Sequence, residues 1–498
     1  MKTGSVLFVG AGPGDPKLLT IKGMEALQHA DVVVYDRLAN PLLLAHVKQE
    51  ARLVYCGKEA DRHTLPQDEI NRLLVREAQR GQIVVRLKGG DPSMFGRVGE
   101  EAQECLAHGI PFEIVPGITS GMAAPLYAGI PLTHREYNSS VAFVTGHFCE
   151  KNAGKELDWA ALARMETLVI YMGVKNLPRI KDSLLAHGKH PDTPVALVRW
   201  GTLGEQQTVE GRLLTIDQTA AQAGFRSPAI IVVGEVVRLR ESLNWHESKP
   251  MFGQTIAVAS RRTGEQSLAQ ALERLGAEVW PLPLSEMPRW QTDSGSGFPE
   301  AVEDYPWIVF DSERHVTAFF RELSVRRFDI RRLRGKMVAR GLQAARALEE
   351  RGLYPHRVLE EPGRSVPIRQ LLPEGQGERI LHVRGGKSPT VRNGEEAVDH
   401  LWLTGELGWD REHLASRWFT ERSFDWLAAD EPDALSVLAE LAEKGWKDGK
   451  LLCVGEETVR FAKELGASGI VACPAGIGQL EEVLDQLATA SKVTHLYS

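Results

Sequence analysis

The sequence predicts an α/β protein built of several units, on three observations. Short β-branched runs alternate with helical patterns from end to end, as βαβ units do. Gly and Pro punctuate these runs at regular intervals. The 498 residues also exceed what one hydrophobic core organises.

The first strand is "VLFVG" (6–10), followed by a Thr20-capped helix with Ile21, Met24 and Leu27 on one face. "DVVVYD" (31–36) is the second strand. The next helix opens at Pro66 with Asp68 and Glu69 in its first turn, buries Ile70, Leu73 and Leu74, and stops at Gly81 before "IVVRL" (83–87). Strands "FEIV" (112–115), "VAFVTG" (141–146), "TLVIYMG" (167–173), "PVALVRWG" (194–201) and "AIIVVGEVV" (229–237) complete the first half. At "ESLNWHESKPMFG" (241–253) the periodicity lapses, which marks the main boundary. The pattern restarts with "TIAVAS" (255–260), a helix over 266–275, "EVWPLPL" (278–284), "WIVFDS" (307–312) and "KMVARG" (336–341). A further cycle runs from "RILHVRG" (379–385) to "LLCVG" (451–455), a helix from Glu457, "GIVACPA" (469–475) and a last helix over 480–487. Two similar α/β lobes are therefore expected after residue 253, with "QTDSGSGFPE" (291–300) and "KSPTVRNGEE" (387–396) as flexible loops.

Composition narrows the function. No apolar run approaches the ~20 residues of a membrane span, and the N-terminal apolar run is too short for a signal peptide, so a cytoplasmic, membrane-free protein is expected. Cys56, Cys105, Cys149, Cys453 and Cys473 form no CxxC pair, and the histidines cluster no more closely than His187 and His190, so no metal is expected. Residues 1–250 hold 28 Lys+Arg and 28 Asp+Glu, so the net charge of −7 falls wholly in the remainder. Without a basic run or a basic and aromatic stripe, nucleic acid is not an expected partner.

"VGAGPGDP" (9–16) begins like a dinucleotide loop, which needs Gly at its first, third and sixth positions and a helix starting at once. Here the sixth position is Asp15, whose carboxylate repels phosphate. Pro13 and Pro16 each remove an N–H donor and delay the helix to about Thr20. The loop suits a ligand needing close backbone approach without a di-anion, such as an adenosine carrying a sulfonium and an amino acid; a tight βα turn is the other reading. "RLKGGDPSMFGR" (86–97) repeats the design, since Gly89 and Gly90 permit close approach or a strained turn and Asp91-Pro92 starts a turn.

In order, "GAGPGDPKLLTIKG", "VVYDRL", "CGKEADRHTLPQDEIN", "RLKGGDPSMFGR", "VPGITSGMAAPLYAGIPLTHR", "VTGH" and "YMG" resemble the tetrapyrrole methylase family, over nearly all of residues 4–238. "YDRL", the Lys58 string and "THR" resemble its uroporphyrinogen-III C-methyltransferase branch in particular. The resemblance implies a two-domain methylase fold over residues 1–240, split near 125, a linker at 241–253, and a homodimer formed through this half. It implies S-adenosyl-L-methionine in the cleft, lined by Pro13, Gly89, Gly90, Asp91, Met94, Thr119, Ser120, Met172 and Gly201. For Met94 and Met172, core packing is the competing reading. It further implies Asp36 as proton acceptor and Lys58 as proton donor. Asp36 as a cap or a partner of Arg37, and Lys58 as a solvated lysine, stay open beside these roles. Arg37, Arg62 and Arg135, with His134, are the candidates to hold the acceptor's carboxylates. The implied reaction takes uroporphyrinogen III through precorrin-1 to precorrin-2, toward sirohaem and cobalamin.

Residues 254–498 resemble uroporphyrinogen-III synthase, which implies two flavodoxin-like lobes and hydroxymethylbilane as substrate. The pattern departs at "FDSERHV" (310–316), at "AADEPDAL" (428–435) and at Trp418, which stands where a tyrosine is expected. Asp311, Glu313, Asp430 and Glu431 are expected to set negative charge where an anionic substrate docks. Ser312, Arg340, Arg384 and Trp418 are the candidate cleft residues. Either the chain makes uroporphyrinogen III and methylates it, or the second half is a degenerate synthase kept for binding or assembly.

Overall fold

The computed structural model describes residues 3–484, apart from 49, 58–65, 147–156, 262–263, 265–266, 283, 293–294, 360–367, 373–376, 386–397, 410–418, 420–421 and 442–449. The expected loop at 387–396 lies outside the described residues. Two compact units are present, one of residues 1–283 with 409–498, the other of residues 284–408.

Strands β1 (Ser5–Gly10), β2 (Val32–Tyr35), β3 (Arg52–Tyr55), β4 (Ile83–Lys88) and β5 (Phe112–Val115) form a parallel sheet in the order β3-β2-β4-β1-β5. The inner strands β2, β4 and β1 are covered on both faces, which is why they read as near-continuous apolar runs, while the edge strands β3 and β5 are more exposed. Val6, Phe8 and Val84 pack on Ile70, Leu73 and Leu74 of helix Gln67–Gln79. Val9, Val33 and Val85 pack on Ala26 and Leu27 of helix Ile21–His29 and on Leu43 and Leu44. Thr20 caps that first helix through the Gly23 amide, as its sequence position predicts. Ile21 does not share its buried face: six residues at 100° each carry it away from Leu27, and it is exposed.

Strands β6 (Val141–Thr145), β7 (Thr167–Tyr171), β8 (Pro194–Arg199), β9 (Gln207–Arg212) and β10 (Ala229–Val233) form a mixed sheet in the order β6-β7-β10-β8-β9. Helix Ser120–Tyr127 precedes it and packs on it through Ala124. The segment after β10 is anchored rather than free. The Trp245 indole N–H donates to the Leu126 carbonyl, and Glu247 accepts from Gln206, Thr208 and Arg240.

β11 (Thr255–Ala259) and β12 (Glu278–Pro281) start a third sheet. The chain then builds the second unit from β13 (Leu284–Thr292), β14 (Gly295–Ser296), β15 (Trp307–Phe310), β16 (Lys336–Arg340), β17 (Arg357–Leu359), β18 (Ile380–Gly385) and β19 (Val398–Trp409). Their order is β14-β13-β19-β18-β15-β16-β17, around a core of Phe298, Phe310, Phe319 and Leu323. Residues 291–300, expected as a flexible loop, instead carry a hairpin in which Gln291 pairs with Ser296 and Thr292 with Gly295. Finally β20 (Trp426–Ala429), β21 (Lys450–Val454) and β22 (Ile470–Cys473) complete the third sheet in the parallel order β12-β11-β20-β21-β22, which is the flavodoxin order.

Candidate active site

The two glycine-rich strings leave the C-terminal ends of neighbouring strands, where open parallel sheets place their ligands. β1 pairs with β4 through Gly10 and Lys88, and beyond them Gly12 and Gly90 exchange both backbone hydrogen bonds, at 3.2 and 2.7 Å. Both residues lie in the left-handed region, φ +76° and +70°. The chain after β5 closes on the same point: a Cβ on Gly117 would lie 2.4 Å from the Gly90 carbonyl oxygen and 2.8 Å from Gly10 Cα. Three main chains therefore meet with no room for a side chain between them.

The surrounding contacts gather most of the residues expected to line a methyl-donor pocket. Gly90 faces the Ser120 amide and Thr119 Cα. The Thr119 hydroxyl lies 2.5 Å from the Tyr171 hydroxyl, which also accepts from the Gly121 amide, and Met172 follows directly on that strand end. Gly201 abuts Ala124 on the helix that begins at Ser120, and Gly14, next to Pro13, abuts the Gly201 carbonyl and Thr202. Met172 is half exposed with φ +53°, so the core-packing reading does not hold for it. Met94 is partly buried and its amide donates to the Asp91 carbonyl.

Both acids of the loops have specific partners. The Asp15 carboxylate accepts from the Lys17 amide and the Tyr127 hydroxyl, while its own amide donates to Thr202 Oγ1 at 2.9 Å. Asp91 accepts from the Ser93 amide and hydroxyl and from the Gly117 amide. Burial works to raise the Asp91 pKa, but these hydrogen bonds and one from the Met94 amide outweigh it and hold the carboxyl below its usual range.

Asp36 stands at the end of β2. One carboxylate oxygen accepts from the Leu38 amide at 3.0 Å, and the other from the Arg86 guanidinium at 3.2 Å. The competing reading of Asp36 as a partner of Arg37 does not hold, since Asp36 pairs with Arg86 and Arg37 lies over the Trp200 ring at 5.5 Å. Arg86 and Lys88 point the same way from β4 and are both buried, as alternate residues of one strand do. Arg86 also meets Glu101 at 3.4 Å, and Lys88 meets it at 2.7 Å. Burial and the nearby Arg86 charge press the Lys88 pKa below the usual lysine range, and Glu101 only partly offsets them. Sequence reasoning passed over Arg86, Lys88 and Glu101. The available signal was two cations inside an otherwise apolar run, in the central strand of a parallel sheet.

His134 and Arg135 occupy a separate turn, where the His134 amide donates to Asn138 and the His134 ring packs against Tyr137. Lys58, Arg62 and Trp418 lie outside the described residues. Among the described residues, no group of three or more His, Cys, Asp and Glu could hold a metal ion, and no helix is long and apolar enough to cross a membrane.

The second half corrects one expectation about charge. In the second unit, Asp311 accepts from Arg340 at 3.0 Å and pairs with His382 at 2.7 Å, while Arg384 stands 4.0 Å away. Burial would raise the Asp311 pKa, yet these partners hold it far below the usual carboxylate range. In the first unit, Glu431 pairs with Arg261, and Asp430 accepts from Ser260. Asp311 and Glu431 therefore do not stand as bare negative charge, whereas Glu313 is exposed at the first helical position of its turn. Beside Asp311, the Ser312 hydroxyl lies 2.9 Å from His315 Nδ1, and burial holds the His315 pKa down at about 4.

That histidine makes the second unit acid-sensitive. Between pH of about 6.5, where a free histidine titrates, and about 4, the unfolded chain binds a proton at residue 315 that the folded one refuses. Stability is therefore lost as pH falls through this window, and lost further below about 4 as Asp311 protonates in the unfolded chain. Hydrogen exchange in peptides from 307–340 should be faster at pH 5 than at pH 7.5 after correction for intrinsic rates, and His315→Gln should reduce that difference. A slope unchanged by the substitution would show that other groups control it.

Comparison with known proteins follows the same division. The model of the Tetrapyrrole (Corrin/Porphyrin) Methylases matches residues 5–217, and that of Uroporphyrinogen-III synthase HemD matches residues 266–396. The chain is 48% identical over 356 residues to a Uroporphyrinogen-III C-methyltransferase of Bacillus subtilis (strain 168), covering 71% of this chain and 72% of that one. It is 54% identical over 236 residues to a Uroporphyrinogen-III C-methyltransferase of Priestia megaterium, covering 47% of this chain and 98% of that one. Among solved structures, a Uroporphyrin-III C-methyl transferase from Thermus thermophilus, complexed with S-adenyl homocysteine, is 42% identical. It covers 47% of this chain and 100% of its own, with a TM-score of 0.41.

Proposed function

The chain belongs to the tetrapyrrole methylase family, in its uroporphyrinogen-III C-methyltransferase branch, and on that premise we propose how its own residues serve the reaction. The enzyme transfers methyl groups from S-adenosyl-L-methionine to uroporphyrinogen III, giving precorrin-2 by way of precorrin-1. The observation that carries this reading is the meeting of the Gly12, Gly90 and Gly117 backbones beside Thr119, Ser120 and Gly201. Such a cradle admits a nucleoside against main chain, and the Asp15 carboxylate, which accepts from the Tyr127 hydroxyl and the Lys17 amide, sets negative charge in the loop where a pyrophosphate would need positive. Pro13, Gly89, Gly90, Asp91, Met94, Thr119, Ser120, Met172 and Gly201 line this pocket.

Methyl transfer is an in-line displacement, so alignment of donor and acceptor and exclusion of water supply most of the acceleration. Methylation of a porphyrinogen ring carbon leaves a cationic, imine-like ring that must shed a proton. Asp36 accepts it, aimed by Arg86, and Lys58 acts as proton donor. Arg37, Arg62, His134 and Arg135 hold the acceptor's carboxylates. The second half supplies uroporphyrinogen III by cyclising hydroxymethylbilane, with Ser312, Arg340, Arg384 and Trp418 as its candidate substrate residues. The neutralised acids at Asp311 and Glu431 favour this over a degenerate module, since they remove the charge conflict with an anionic substrate. The working form is a cytoplasmic homodimer joined through the methylase half.

Purified chain supplied with S-adenosylmethionine and either hydroxymethylbilane or uroporphyrinogen III tests both halves. Precorrin-2 is expected from both, faster than spontaneous cyclisation allows in the first. Product from uroporphyrinogen III alone would leave a methylase with a retired partner, and product from neither would overturn the whole reading.

A further inference from the structure

We propose that Glu278, a residue of the appended half, is a positioning residue for methyl transfer: with Arg422 it locks loop 200–206 in the shape that presents Gly201 to the methyl donor. The inference rests on the reading of Gly201 and Pro13 as pocket residues.

The loop needs holding. Trp200 and Thr202 both lie in the left-handed region, φ +48° and +74°, which bulky and β-branched residues adopt only when their surroundings impose it. Part of the hold comes from the methylase half. The Thr202 amide donates to Gln206 at 2.8 Å, Gln206 donates to Glu247, and the Thr202 hydroxyl accepts from the Asp15 amide. The rest comes from the third sheet. The Gly204 amide donates to Glu278 Oε2 at 2.9 Å, and a Cβ on Gly204 would lie 2.7 Å from Glu278 Cβ, so loop and strand are in direct contact.

The other Glu278 oxygen accepts from the Trp280 indole at 2.9 Å and from Arg422 at 3.1 Å. Arg422 stacks on Trp280 at 4.5 Å and reaches Glu205 in the loop at 3.0 Å. The neighbouring helix Leu268–Arg274 also contributes, through an ion pair between Glu273 and Lys17 just beyond the opening loop. The Lys17 pair is exposed and contributes little. Glu278 differs, because its side chain is only 10% exposed and accepts three hydrogen bonds, each of which loses its partner if the carboxylate goes. Loop 200–206 is thus gripped by the sequence that follows the methylase half, which also touches the opening loop's exit at Lys17.

The test uses the intact chain as wild type, Glu278→Gln, Arg422→Met and Leu452→Ala. S-adenosylhomocysteine is titrated by calorimetry, and kcat and KM for S-adenosylmethionine are measured with uroporphyrinogen III. Glu278→Gln keeps the volume but removes the charge and turns one of the two acceptor oxygens into a donor, so either the Gly204 amide or the Trp280 and Arg422 pair loses its acceptor, and the Kd for S-adenosylhomocysteine and the KM for the donor should rise about fivefold or more with kcat at saturating donor unchanged. Arg422→Met should follow in the same direction. Leu452→Ala opens a cavity in the core of the third sheet, remote from the loop's partners, and should leave Kd unaltered. Wild-type affinity in Glu278→Gln, or equal weakening in Leu452→Ala, overturns this inference while the donor-pocket reading stands. Absence of S-adenosylhomocysteine binding in the wild type overturns both.

Discussion

Arg86→Met is expected to destabilise the methylase half by about 3–5 kcal/mol and to reduce methyl transfer at least as severely as Asp36→Asn. Arg86 is buried between Asp36 and Glu101, and its remaining N–H groups reach the Val34 and Leu87 carbonyls. Removing its charge leaves two carboxylates facing one buried lysine, with the fully buried Glu101 shielded from the water that reaches Asp36. Asp36 also loses the contact that fixes the direction of its outer oxygen. Stability and turnover are separated by the double variant Arg86→Met with Glu101→Gln, which restores the charge balance between Asp36 and Lys88. Urea melts should recover most of the lost stability in the double variant, while turnover with uroporphyrinogen III stays low. Recovery of both would mean that Arg86 serves folding alone.

Gly117→Ala should weaken S-adenosylhomocysteine binding and turnover by about a hundredfold, the scale reached when a reacting group is displaced by an ångström. The added methyl would meet the Gly90 carbonyl oxygen at 2.4 Å, and Gly10 Cα and its carbonyl carbon at 2.8 and 2.9 Å. All three are backbone atoms, so no side chain can swing aside and the loops themselves must part. Gly99→Ala is the matched control. Its methyl enters open space on helix Val98–Ala107, where alanine is favoured over glycine by roughly 0.5–1 kcal/mol. Calorimetry that finds normal binding in Gly117→Ala would show that the donor does not depend on this close approach.

The sheets and the glycine loops were legible because their signals are local. Apolar runs of four to six residues mark the strands of a covered parallel sheet, and Asp15 with its flanking prolines argues against a phosphate loop from the sequence alone. What could not be read depends on partners distant in the chain. For Asp36 the sequence offers only its neighbour Arg37 as a cationic partner, yet Arg86, fifty positions on, reaches it because β2 and β4 are adjacent. The acids near Asp311 and Glu431 looked like a surplus of negative charge, since a count of signs does not show Arg340, His382 or Arg261 folded against them. Composition misled at 291–300 as well, where Ser, Gly and Asp spell a loop but the flanking backbone pairs as a hairpin.

The way the second unit interrupts the third sheet sets an order of completion during synthesis. The strands of the first two sheets are all present once residue 233 is made. β11, by contrast, gains β12 on one edge soon after it emerges but must wait for β20 on the other, and Thr255 meets Asp425 only after 170 further residues. Until then that edge is open to pairing with other chains, the exposure that native sheets otherwise avoid. Arg422 arrives at the same late stage, so the clamp on loop 200–206 closes only when most of the chain has left the ribosome. A nascent methylase half would therefore have its glycine cradle, and loop 200–206 held only by Gln206, Glu247 and Asp15, well before Arg422 is made, and any product of interrupted translation would lack that last contact.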